Sequence, residues 1–166
     1  MVNLILMITA ELDNLTDLQP QGGCDDANFP FYVKIKCGNC GEISPKETCL
    51  VLSDTVAVPK SRGTTNLVQK CKFCGREGNI TMIPGKGRPL TTEDGETEGY
   101  APLMLFDCRG IEPVEFAFGD GWKVQSTDGT KFEGIDLSSG EYSEYCEKGQ
   151  APVMISNLKS KFEVLK

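Results

Sequence analysis

The sequence predicts an all-β protein made of two similar β-sandwich or barrel-like lobes, and three observations carry that prediction. First, helical periodicity is weak nearly everywhere. Second, short β-branched, aromatic and aliphatic runs recur along the 166 residues, punctuated by 18 glycines and nine prolines. Third, the two halves correspond. Moved by 96 residues, Met7 and Ile8 fall on Leu103 and Met104, Asn14 on Gly110, Leu15 on Ile111 and Leu18 on Val114. Such self-similarity is the mark of an internal duplication.

In chain order, the apolar start Met1–Ile8 reads as a first strand, running into an edge with Leu12, Leu15 and Leu18. Phe31–Lys36, Cys49–Leu52, Asn66–Lys70 and Asn79–Ile83 follow as strands, each bounded by turn-forming residues. Residues 85–99 offer little to bury and predict a long solvated loop between an N-terminal lobe (1–84) and a C-terminal lobe (100–166). The second lobe repeats the pattern at Leu103–Phe106, Val114–Phe118, Val153–Ser156 and Phe162–Leu165. Its last two runs flank a predicted tip at Asn157–Ser160, placed as the counterpart of the tip between Lys70 and Ile80. Trp122, after a glycine-rich turn, is expected in the core or at its rim, and the acidic stretch Glu141–Glu147 as a solvated, half-packed segment.

Composition narrows the function. There is no histidine, which removes Ser-His-Asp triads, Cys-His pairs and imidazole-ligated zinc. The net charge of −7 repels nucleic-acid phosphate on average. The apolar start has no basic residues before it and no small-residue cleavage site after it, and no stretch reaches the roughly 18 apolar residues of a membrane span. A cytoplasmic protein is expected. In that reducing setting, paired cysteines point to metal or redox chemistry rather than disulfides.

Eight cysteines are present, and four form the strongest signal: Cys37-Gly38-Asn39-Cys40-Gly41 and Cys71-Lys72-Phe73-Cys74-Gly75. A zinc knuckle needs this pattern. Two thiolates bind one metal from a tight turn, and the trailing glycine lets backbone amides approach sulfur. Cys37, Cys40, Cys71 and Cys74 are therefore the predicted ligands of one structural Zn²⁺, with no open coordination position. Thirty residues separate Cys40 from Cys71, more than the roughly 15–20 of a compact zinc ribbon. The metal is thus expected to tie two hairpin tips of a larger β domain. Four thiolates and Zn²⁺ sum to −2, and between residues 31 and 76 eight cations face three carboxylates, leaving a strongly acidic remainder. Those cations either favour thiolate formation or simply form a solvated face. Cys24, Cys49, Cys108 and Cys146 show no pairing and are expected as small buried hydrophobes. Cys24, in a polar loop with Asp25 and Asp26, should be the most exposed of them, and its thiolate disfavoured.

Three stretches resemble the eukaryotic CXXC-motif-containing zinc-binding protein family: Lys36–Ser44, Val68–Cys74 and Cys108-Arg109-Gly110-Ile111-Glu112-Pro113-Val114. Their order and spacing run over nearly the full chain. The resemblance implies zinc on Cys37, Cys40, Cys71 and Cys74 and two similar β lobes with metal in only one. It supplies no reaction. For the Cys108–Pro113 element the plain expectation is a tight inter-lobe turn with Arg109 paired to Glu112, and the bolder alternative is an interaction site.

Three functions compete. The first is a non-enzymatic, zinc-stabilised scaffold, expected as a monomer, that binds a partner protein. The second is a thiol redox protein whose CxxC pairs cycle and release zinc. The third is a weak nucleic-acid binder through the basic zinc face, disfavoured by thin aromatic interleaving.

Overall fold

A computed structural model describes residues 2–165. The chain is almost entirely strand. The first half contributes β1 (Val2–Asp13), β2 (Leu15–Pro20), β3 (Phe31–Cys37), β4 (Thr48–Leu50), β5 (Val56–Ala57), β6 (Thr64–Thr65), β7 (Leu67–Lys70) and β8 (Glu77–Ile83). A short helix, α1 (Thr92–Glu96), precedes β9 (Ala101–Arg109), β10 (Ile111–Ala117), β11 (Trp122–Ser126), β12 (Lys131–Ile135), β13 (Tyr142–Cys146) and β14 (Ala151–Val164). Among the described residues no helix is long and apolar enough to cross a membrane.

Six strands form the central sheet in the order β13-β14-β1-β9-β8-β7, flanked by three-stranded sheets β10-β3-β4 and β12-β11-β2. This pairing maps onto itself when β1 is exchanged with β9, β2 with β10, β3 with β11, β4 with β12, β7 with β13 and β8 with β14. The topology therefore has an internal two-fold about the antiparallel β1–β9 pair. Each half exchanges strands with the other: β8 pairs with β9, β14 with β1, β10 with β3 and β2 with β11. The boundaries expected at 84/85 and 99/100 consequently do not separate spatial units. Each lobe is woven from both halves over one shared core.

Local sequence explains the weave. Along β1, Leu4, Leu6, Ile8, Ala10 and Leu12 are buried at the strand period of two. Asn14 (φ +58°) then turns the chain out of the central sheet, as Gly110 (φ +78°) does between β9 and β10. Asp17 (φ +59°) adds a kink that shifts the phase, so that Leu15 and Leu18, three apart, both face the core. Two residues of short polar or absent side chain at these hinges fit the left-handed backbone.

Two expectations are corrected. Residues 85–99 are not a free loop. Leu90 is fully buried and exchanges backbone hydrogen bonds with Leu18 (2.9 Å each way). Thr91 and Asp94 form a capping box on α1, Arg88 pairs with Asp94 at 2.7 Å, and Thr92 Oγ1 donates to the Leu15 carbonyl. The polar side chains mislead because one buried leucine, backbone pairing and side-chain hydrogen bonds hold this strap down without a longer apolar run. Nor do residues 157–160 form a tip. Asn157 (φ +52°) lies within continuous β14, where the register on β1 shifts between Thr9 and Glu11. The topological counterpart of the β7–β8 turn is the β13–β14 turn, 147–150.

The core centres on Phe29, Phe31, Phe106, Phe116, Phe118 and Trp122, whose rings meet mostly edge to face at 5.0–6.5 Å. Trp122 is completely buried, and its Nε1 donates to the Phe118 carbonyl at 2.8 Å. Glu141–Glu147 contains the edge strand β13, mostly exposed, as its sequence suggests.

Trp122→Ala is expected to cost about 3–5 kcal/mol, read as a lower urea midpoint, since it empties the ring cluster and strands the Phe118 carbonyl. Acid unfolding should carry a second signature. The Arg88 guanidinium holds Asp94 at about 2, and the Ser126 hydroxyl with the Thr130 amide does the same for Asp128. Both lie below the unfolded value of about 3.9. Their stabilisation is complete above that value and is lost as pH falls towards about 2, so a midpoint-against-pH series should drop in that window and the Asp94→Asn protein should drop less.

Candidate metal centre

The two CxxC turns share one backbone design. Cys37 ends β3, and its N–H donates to the Glu42 carbonyl at 2.9 Å while the Gly41 N–H donates back to the Cys37 carbonyl at 3.0 Å. In the second turn, between β7 and β8, Cys71 N–H donates to Arg76 (2.8 Å) and Gly75 N–H to Cys71 (3.0 Å). Gly41 (φ +79°) and Gly75 (φ +77°) reverse the chain in a conformation a Cβ would strain. The glycine following each pair is thus dictated by the turn.

All four sulfurs lie within 4.8 Å of one another. The cross-turn pairs Cys37–Cys74 and Cys40–Cys71 are 3.6 Å apart. A regular tetrahedron with metal–sulfur bonds of about 2.3 Å has edges of about 3.8 Å. The set is therefore positioned for one zinc ion, with every tetrahedral position taken by sulfur. Burial is graded: Cys37 continues the inward row Phe31, Val33, Ile35 and is buried, Cys71 is half-buried, and Cys40 and Cys74 face solvent.

The turns prepare sulfur for metal. The Asn39 side chain and then the Arg76 amide lower the Cys74 thiol to about 6. The amides of Cys74 and Phe73 lower Cys71. At Cys40 the Glu42 amide also favours the thiolate, but desolvation and bonds to the three neighbouring sulfurs outweigh it and push the thiol up to about 12. Without a cation the cluster cannot hold four anions side by side. Zinc supplies the missing charge, and its loading releases protons.

The Cys108–Pro113 element is the buttress of this centre. β9 pairs with β8, and β10 pairs with β3, so the corner at Gly110 joins the two strands that carry one knuckle each. Gly38 N–H, inside the first knuckle, donates to the Gly110 carbonyl at 2.9 Å. On the other side, a Cβ on Gly78 would lie 2.6 Å from the Arg109 carbonyl oxygen and 2.8 Å from the Ile111 nitrogen. The bare glycine lets β8 lie against the corner. Arg109 pairs with Asp107 (3.6 Å), not with Glu112 as expected, because side chains two apart in a strand share a face while the Gly110 hinge turns Glu112 away.

In the other lobe the equivalent tips are joined differently. Asp128, in the β11–β12 turn, accepts from Ser126 Oγ, from the Thr130 amide (3.0 Å) and hydroxyl (2.8 Å), and from Cys146 Sγ (3.6 Å) at the end of β13. A carboxylate thus sits where the topology of the other lobe places zinc. Of the unpaired cysteines, Cys108 and Cys146 are buried as expected, whereas Cys49 is exposed and Cys24 half-buried under the 85–99 strap. Burial and then Asp25 push the Cys24 thiol up to about 11, opposed by Arg88.

A family model described as "CXXC motif containing zinc binding protein, eukaryotic" matches residues 5–163. The chain belongs to this family. The human CXXC motif containing zinc binding protein is 38% identical over 163 residues, covering 98% of both chains. UPF0587 protein F46B6.12 of Caenorhabditis elegans is 36% identical, over 98% of this chain and 95% of its own. The crystal structure of C1orf123 superposes with a TM-score of 0.87 at 37% identity, covering 98% of this chain and 99% of that one. A hypothetical protein from Plasmodium falciparum shares the fold (TM-score 0.82) at 23% identity. The all-β architecture and zinc binding are thereby those of the CXXC zinc-binding family.

Gly78→Ala is expected to lower stability by about 1–3 kcal/mol through overpacking at the corner and to speed zinc loss to a chromophoric chelator. Gly63→Ala, on an exposed loop with no backbone atom in the way, should do neither.

Proposed function

We propose that the protein is a non-enzymatic zinc scaffold that works by binding a partner protein in a reducing, cytoplasmic compartment. One observation carries this reading: four sulfurs converge within 4.8 Å, enough to take every position of a tetrahedral zinc site, and both knuckles are braced from behind by the Gly110 corner. An ion so enclosed has no site for a water or substrate and contributes by fixing the shape around it. The shape it fixes is a basic face, on which Lys34 alone is ion-paired among the described residues, to Glu115 at 3.3 Å. Cations without ion-pair partners, with exposed Phe73 and Ile43 in the same turns, suit charge-complementary recognition of an acidic protein surface.

A second reading, zinc release by thiol oxidation, draws on the solvent exposure of Cys40 and Cys74. Two equivalents of hydrogen peroxide would take the four thiolates to two disulfides with loss of the ion. Titrating the reduced, zinc-loaded protein with peroxide tests it; zinc retained at cellular peroxide levels removes this reading.

Removing zinc with a chelator is expected to lower the melting temperature and expose the β7–β8 hairpin to protease. Retention of a partner by the wild-type protein and its loss with Cys71→Ser, in parallel pull-downs from a native extract, is the expected outcome. Turnover of a substrate by the zinc-loaded protein would refute the scaffold reading.

A further inference from the structure

We propose that the cleft beside β7 receives an extended, acidic segment of the partner protein, which adds to β7 as a further strand; this assignment rests on the scaffold reading above. β7 is an outer strand of the central sheet, paired on one side only, with β8. The bond from Cys71 N–H to Arg76 fixes the phase of that ladder. Residues Leu67, Gln69 and Cys71 direct their backbone groups to β8, and Val68 and Lys70 direct theirs outward. Among the described residues, the N–H and C=O of Val68 and Lys70 have no hydrogen-bond partner. They offer a short template for strand addition.

The template is rigid. Asn66, just before β7, donates to the carbonyls of Val51 (3.2 Å), Leu52 (3.1 Å) and Asp54 (3.1 Å) and accepts from the Met82 amide (2.7 Å). At its other end the strand runs into the zinc-held Cys71. Beside its Gln69–Cys71 end opens a cavity of about 270 Å³ with Ile35 and Ile111 among its lining residues, room for an apolar anchor side chain. Lys46, Lys70 and Lys72 stand around it against the single carboxylate of Glu42, and Phe73, 72% exposed, lies at the zinc end.

Charge selects the occupant. Across residues 31–76 eight cations face three carboxylates, an excess larger than the −2 of a zinc tetrathiolate. A segment alternating carboxylates with apolar residues would set the former on the lysines and one of the latter over Ile35. A second copy is the competing occupant, because β13, the opposite edge of the same sheet, carries Glu144 and exposed Tyr145 and is flanked by Glu141 and Glu147. That contact is head to tail and would build a ring or an open filament of copies.

The probe is a fluorescein-labelled heptapeptide of alternating glutamate and leucine, titrated into full-length, zinc-loaded protein by fluorescence anisotropy. Binding that weakens with added salt is expected, with amide-exchange protection gained at Val68 and Lys70. Val68→Pro removes an outward N–H without breaking the β8 ladder and should weaken binding at least about tenfold with zinc content unchanged. Should that protein misfold, Lys46→Glu with Lys70→Glu is expected to give the same loss. Equal binding by a lysine–leucine peptide, equal binding by single-stranded DNA, no binding at low salt, or protection elsewhere would overturn the assignment. So would concentration-dependent growth of the protein alone that Val68→Pro abolishes. A zinc-dependent partner indifferent to Val68→Pro would overturn the cleft and leave the scaffold reading standing; finding that no partner's binding depends on zinc would remove both.

Discussion

The antiparallel pairing of β1 with β9 is the constraint on which the rest of the molecule depends. Each strand leaves the central sheet at a single left-handed residue, Asn14 in one half and Gly110 in the other. The continuing strands are thereby delivered to opposite lobes, β2 beside β11 and β10 beside β3. Neither half of the chain can complete a lobe alone. The shared core, from Leu6 and Ile8 to Phe106 and Trp122, follows from this exchange rather than preceding it.

The same geometry explains why the metal centre lies where it does. The Gly110 corner is the one point at which β3 and β8 are held by consecutive stretches of chain, β10 and β9. Knuckles at the ends of those two strands meet there. Apparent zinc-binding free energies of about 10–16 kcal/mol are as large as the whole stability of a typical domain, about 5–15 kcal/mol. The opposite lobe joins its equivalent tips with hydrogen bonds to the Asp128 carboxylate, each a far smaller contribution. The two lobes share a framework and differ in how firmly their tips are clamped. A firmly held tip is what a recognition surface requires, since ordering it beforehand lowers the entropic cost of association.

Much of this was legible in the residues. Period-two burial along β1 and β3, the Cys-x-x-Cys-Gly repeats and the placement of Trp122 each follow from local rules. The misreadings share a cause. Leu90 and Thr92, and with them the strap from 85 to 99, gain their place from backbone and polar bonds to Leu15, Thr16 and Leu18, more than seventy residues away. The bulge at Asn157 resembles a turn because its distinguishing feature, the unbroken pairing of β14 with β1, is invisible locally. Exposure of Cys49 and shelter of Cys24 likewise depend on which segment crosses over them.

The sequence alone determined the β character of the chain, the four ligands and their metal, because alternation, turn chemistry and thiolate spacing act over a few residues. Only the tertiary structure decided that the halves exchange strands, that Cys108–Pro113 braces both knuckles and that β7 keeps a free edge. Those depend on pairings between distant strands, and a one-residue hinge at Asn14 or Gly110 gives no hint of which strand it will bring alongside.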